Sequence, residues 1–311
     1  MKKVLSIMKI TDYINSNAIV LNPQNIFTLQ KYEQLIQYFT VSQPTKYANI
    51  RYNQETMHNS NLAKTLLPIT NRTILLTNLD FDFPPPVPPY EYDAYFNPDL
   101  LPKNYLDIPY LDKINTNILP IIVKNNIRIF AHAVSINHPN IHMIPAGVFS
   151  KFNHFHMKTN PKETLCYANF GLSCDRWFGN PRNEVVEFIK NKNFIKKENI
   201  YSTQLVRRDY LNETYFYEQI SRSKFAVCPR GCGIDTYRLW DCICLGCIPI
   251  VEKYGGYEQF EDLPILFINS YKDYALLDET ELTKVYEEIM SRDYNYSKLT
   301  VDYWVEKTRM S

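Results

Sequence analysis

Net charge, glycine and long apolar runs are all scarce in this chain of 311 residues. Its 34 Lys and Arg nearly balance 33 Asp and Glu, leaving a formal charge of +1. That balance gives no general attraction to nucleic acid or to an anionic membrane. Apolar stretches such as 118–123 fall far short of the ~18 residues that a membrane-spanning helix needs. At the N-terminus, Lys9 and Asp12 interrupt the apolar residues of MKKVLSIMKITDY before they reach the ~7–15 of a signal-peptide core. A soluble, cytoplasmic protein is therefore expected. Only 8 residues are Gly, against 24 Tyr, a bias that AT-rich coding accounts for. No internal repeat is present. What remains is ordinary for a globular protein: 45% of the residues are apolar, and the length predicts about two domains.

The seven cysteines are an odd number, which argues against a disulfide framework. Five of them, Cys228, Cys232, Cys242, Cys244 and Cys247, lie close together. Their spacing, C-x3-C and then C-x-C-x2-C, is not the paired C-x2-C of a zinc knuckle, and two fall in an expected helix. They read as small buried hydrophobes in a reducing compartment, with no metal ligands assigned.

Residues 224–253, KFAVCPRGCGIDTYRLWDCICLGCIPIVEK, carry the most information. The apolar run 225–228 has strand length. Pro229-Arg230-Gly231-Cys232-Gly233 breaks the strand as a tight loop. Asp235 or Thr236 caps a helix that runs to about Leu245, which Gly246 ends in the left-handed conformation. A strand resumes over 247–251. This order sets a glycine loop, a helix start and two arginines at the C-terminal edge of a parallel sheet, where open α/β sheets bind phosphorylated ligands. Arg238 and Asp241, three apart, share one helix face, while Leu239, Trp240, Ile243 and Cys244 have core spacing. A guanidinium suits phosphate and a carboxylate suits ribose hydroxyls, the needs of a nucleotide diphosphate sugar. An ordinary surface ion pair is the alternative.

At these residues the chain resembles the exostosin-like glycosyltransferases, whose signature runs P-R-G-x-G-[IL]-D-[TS]-x-R-x-W-E-A-L-x-x-G-x-I-P-[IV]. The match covers Pro229 to Asp241 and then Leu245 to Ile250, and similarity of layout reaches upstream to about Leu165. Residues 1–160 show no such resemblance. Asp241 stands where the family has Glu, and Cys232 where Asn is common. The resemblance implies an α/β protein of GT-B type, with two Rossmann-like domains facing a cleft. Residues 1–160 would bind a glycan acceptor. Residues 161–311 would bind a UDP-sugar through Arg230, Gly231, Gly233, Asp235, Thr236, Arg238 and Asp241, and the last helix would cross back onto the first domain. Transfer would be inverting and would need no cofactor or divalent metal, with the arginines and helix dipole stabilising the leaving diphosphate.

Elsewhere the reading is coarser. Strands are expected at 18–21, 73–79, 127–134, 141–144, 164–170 and 264–268. Helices are expected at 28–39, 112–122, 182–190, 217–223, 279–292 and 301–309, with a linker at 154–162. Arg176 and Arg182 follow the strand at 164–170 and offer a second phosphate contact, or are solvated. The proline-rich 83–90 is a stiff loop, either a cleft wall or a ligand for a proline-binding module. Asp80, Asp82, His132 and His138 are candidates for the base that deprotonates an acceptor hydroxyl. Asp80-Phe81-Asp82 also matches the D-x-D by which another glycosyltransferase architecture holds a divalent cation.

Overall fold

A computed structural model describes residues 8–9, 28, 31, 34, 43, 45–51, 64, 66–77, 118–149, 157–158, 160–172, 181–200, 213–231, 233–274 and 278–309. The architecture is mixed α/β, built on parallel sheets. Strand β1 (Met8–Lys9) precedes a four-stranded sheet of β2 (Tyr47–Arg51), β3 (Thr73–Thr77), β4 (Arg128–Ala131) and β5 (Ile141–Met143), paired in chain order. Every pairing in this sheet is parallel. Helix α1 (Leu119–Lys124) leads into β4 and has proline in its first turn, where a missing N–H costs nothing.

The second sheet holds β6 (Thr164–Asn169), β7 (Ile195–Glu198), β8 (Ser223–Val227), β9 (Ile248–Glu252) and β10 (Leu266–Ile268). Its order is β10-β9-β8-β6-β7, and all its pairings are parallel. The chain starts at β6, steps outward to β7, then returns past β6 to β8. The direction of winding therefore reverses between β6 and β8, the point at which such sheets leave a crevice beyond their C-terminal ends. The crossovers carry α2 (Pro181–Ile189), α3 (Glu213–Ser221) and α4 (Tyr237–Cys244), as parallel pairing requires. Then follow α5 (Tyr271–Tyr274), α6 (Glu279–Met290), β11 (Asp293–Tyr294) and α7 (Val301–Arg309). Strand β11 pairs antiparallel with β1.

Local chemistry accounts for several of these elements. Asp278 caps α6 by accepting the Glu281 N–H at 2.8 Å. Gly246 ends α4 at φ 67°, the left-handed position expected of it. Pro249 survives inside β9 because its missing N–H faces the β10 side: Ile250 O accepts from Cys228, and β10 pairing starts only opposite Ile250.

Where sequence and structure differ, the tertiary setting decides. Helix α3 starts earlier than expected, at Glu213, and ends at Ser221, because β8 begins at Ser223 rather than Phe225. Strands β2 and β7 and helix α5 were not foreseen, since their short, partly polar sequences show no clear period. The expected strand 18–21, most of helix 28–39 and the proline loop 83–90 lie outside the described residues.

The core is one apolar cluster spanning both sheets. An aromatic row ties its parts together: Trp240 of α4 meets Phe260 edge-on at 5.0 Å, and Phe260 meets Trp304 of α7 at 5.9 Å. Trp304 also donates to Lys298 O, and Lys46 Nζ reaches the backbone oxygen of Arg309 at 3.3 Å.

Candidate functional site

The segments that follow β4 and β5 meet those that follow β8 and β9. Beyond β4, Ser135 O and Val134 O accept from Gly255 N–H at 3.0 Å and Gly256 N–H at 3.1 Å. Glycine is required there by proximity. A Cβ on Gly255 would stand 2.2 Å from Asn137 N, and one on Gly256 would stand 2.2 Å from Val134 O. Beyond β5, Ala146 N–H donates to Asp235 Oδ2 at 2.6 Å, and Phe149 N–H donates to Asp241 Oδ1 at 3.2 Å. The two acidic residues of the motif thus hold the 146–149 chain against the start of α4.

Asp235 also accepts from Trp240 Nε1 at 2.8 Å and from the Thr236 N–H. Enclosure raises its carboxyl to about 7, against the pull of these three donors. Its two carboxylate oxygens are thus both engaged by protein donors. Thr236 is the N-cap residue of α4, but its side chain makes no cap hydrogen bond; Asp235 satisfies its N–H instead. Asp241 is fully buried. A ribose could reach it only if the residues that cover it move.

The arginines occupy different surroundings. Arg230 is buried in the loop after β8, with its guanidinium 5.9 Å from the Tyr254 ring centre. Arg238 is half-buried on α4, and its guanidinium carbon lies 6.0 Å from the Phe216 ring centre. The Nε of Arg238 is buried and meets no hydrogen-bond partner among the described residues. Gly231 donates its N–H to Gly233 O at 2.9 Å, so the loop uses that donor internally.

Arg182 is not solvated. It is buried, donating from Nε to Arg230 O at 2.8 Å and from Nη1 to Gly171 O at 2.7 Å. Gly171 follows β6 and Arg230 follows β8, so Arg182 clasps the two loops at the winding reversal. Sequence reading placed it in the right region without this role, because the neighbourhood of β6 and β8 is a property of strand order.

His132 follows β4 directly and is buried, and desolvation drives its imidazole down to about 3, which keeps it neutral. Further along the chain, His138 Nδ1 accepts from Asn140 N–H at 3.1 Å, a local turn bond. Asp80, Asp82 and Arg176 lie outside the described residues. Sequence reading missed Glu252, which ends β9 next to the motif loop; its only signal was an acidic residue closing an apolar strand. Among the described residues, no three His, Cys, Asp or Glu side chains are grouped to hold a metal ion. Nor does any described helix have the length and apolarity to cross a membrane. No protein-family model matches the chain, and no curated protein matches it.

Proposed function

We propose that the protein is a glycosyltransferase that moves a sugar from a UDP-sugar to a glycan hydroxyl, with inversion and without a metal. The observation that carries this reading is where the motif sits. Arg230 and Arg238 flank a loop and helix start beyond the C-terminal ends of β8 and β9, beside the winding reversal of a parallel sheet. Anionic ligands favour that position because the helix dipole and guanidinium groups converge there. In this reading the second sheet holds the nucleotide sugar and the first, with residues 1–160, holds the acceptor in a GT-B arrangement. Arg230 and Arg238 neutralise the departing diphosphate. Asp241 takes the ribose once its buried carboxylate is uncovered. Asp80 or Asp82 serves as base, since His132 is too weakly basic while buried.

Calorimetry with UDP tests the donor site. The wild-type protein should bind UDP, and Arg238→Ala should weaken binding about ten-fold or more by removing a charge-assisted contact. Unchanged affinity in a folded variant would sink the phosphate assignment. Turnover of a UDP-sugar panel should survive EDTA; loss on chelation with recovery on manganese would instead favour a metal held by Asp80 and Asp82.

A second reading, a nucleotide-binding protein without catalysis, is favoured by one observation: the Asp241 side chain is fully buried. UDP binding with no hydrolysis or transfer across the panel would establish it.

A further inference from the structure

The C-terminal end of β9 places a carboxylate beside the motif loop. Val227, the last residue of β8, pairs with Ile250, and two residues further along Glu252 closes β9 near enough to Arg230 to feel its charge. On its other side Glu252 pairs with Ile268 of β10. The Tyr254 hydroxyl donates to its Oε2 at 3.2 Å, and the Tyr271 N–H donates to the same carboxylate. An ionised carboxylate has about four acceptor positions, so these partners leave about half of them for a ligand.

Its surroundings are mixed. Burial lifts the Glu252 carboxyl above the usual range and nearby Glu184 adds to the lift, while Tyr254, Tyr271 and Arg230 pull the other way. A carboxylate here is the wrong partner for a diphosphate, which it would repel. It is a suitable partner for hydroxyl groups, each of which donates a proton into a partly desolvated acceptor, where hydrogen bonds are strongest.

We propose that Glu252 receives the hydroxyls of the sugar carried by the nucleotide, and that this sugar is uncharged. A uronate carboxylate brought to the same place would meet a like charge. The inference rests on the nucleotide-sugar reading of the site, and a structural role confined to holding Tyr254 and Tyr271 is the competing account.

Titration calorimetry on the wild-type chain, Glu252→Gln and Glu252→Asp separates them, using UDP, UDP-glucose, UDP-galactose, UDP-N-acetylglucosamine and UDP-glucuronate, with thermal melts confirming the fold. For Glu252→Gln, UDP affinity should be unchanged or a few-fold tighter, because a negative charge beside the diphosphate is gone. Affinity for the neutral UDP-sugar that the wild-type chain binds best should fall about ten-fold. UDP-glucuronate should bind the wild-type chain more weakly than that sugar, and the gap should narrow in Glu252→Gln. Glu252→Asp, which withdraws the charge by one methylene, should lose UDP-sugar affinity while keeping UDP affinity, and decides the matter if the Gln variant does not fold. Equal losses for UDP and UDP-sugar, or no loss for either, would overturn the role of Glu252 alone. Failure of the wild-type chain to bind UDP would overturn the underlying reading and this inference with it.

Discussion

Replacing Gly256 by alanine should destabilise the protein by an amount that the geometry sets. The new Cβ would stand 2.2 Å from Val134 O, 2.8 Å from Val134 Cβ and 2.9 Å from Met143 Sδ. The methionine can swing aside, but the Val134 carbonyl is backbone in the segment leaving β4 and cannot. Ordinary contact begins near 3.4 Å, so the two segments must part by about 1 Å. Parting weakens the Gly256–Val134 bond of 3.1 Å and the adjacent Gly255–Ser135 bond of 3.0 Å. Overpacking costs about 1–3 kcal/mol and each lost backbone bond about 0.5–1.5 kcal/mol, giving about 2–6 kcal/mol in total. That is a large share of the 5–15 kcal/mol or so that holds a typical domain together. Urea denaturation followed by circular dichroism should show a lower midpoint, and the melting temperature should fall by at least about 3 °C. Gly231→Ala is the control. Its Cβ would find Arg182 and Thr236 side-chain atoms at 3.6 Å, ordinary contact, and stability should change by no more than about 0.5 kcal/mol. A wild-type midpoint for Gly256→Ala, or an equal loss for Gly231→Ala, would refute the reasoning.

Three further outcomes are expected. Arg182→Met removes the clasp on Gly171 O and Arg230 O and should cost about 3 kcal/mol in urea denaturation; Arg182→Lys should not restore it, because an ammonium lacks the planar fork that reaches both oxygens. Asp235 binds its proton more tightly folded, at about 7, than unfolded, at its ordinary 3.8. Its contribution to stability therefore falls as pH rises between about 4 and 7, and Asp235→Asn should flatten that part of the urea-midpoint profile; an unchanged slope would show that the carboxyl is not enclosed. Cys166, Cys228, Cys242, Cys244 and Cys247 are all buried, and burial pushes the Cys242 and Cys244 thiols well above their usual range. A disulfide reagent added to native protein should leave these five unmodified until denaturant is present, as peptide mapping would show.

Much of the second sheet was legible in the chain because its signals are local. Alternation of strand-length apolar runs with helix-period segments marked β6, β8, α4 and β9. The left-handed Gly246 and the core face of Leu239, Trp240 and Ile243 follow from backbone sterics and a 3.6-residue period, which need no partner. The motif also placed Arg230 and Arg238 at one strand end and one helix start, since three consecutive elements fix that geometry among themselves.

Tertiary structure alone decided what those residues touch. Asp235 and Asp241 read in the sequence as ligand contacts, yet they accept from Ala146 and Phe149, about ninety residues earlier in the chain. Arg182 joins loops brought together only by the winding reversal between β6 and β8. Gly255 and Gly256 are ordinary turn residues until the segment leaving β4 brings Asn137 N and Val134 O within 2.2 Å of where their Cβ atoms would stand. Periodicity and capping are written in neighbouring residues because they arise from backbone geometry over one or two turns. The pairing of distant strand ends depends on which sheet edges meet, and that is settled by burial of the whole apolar surface at once.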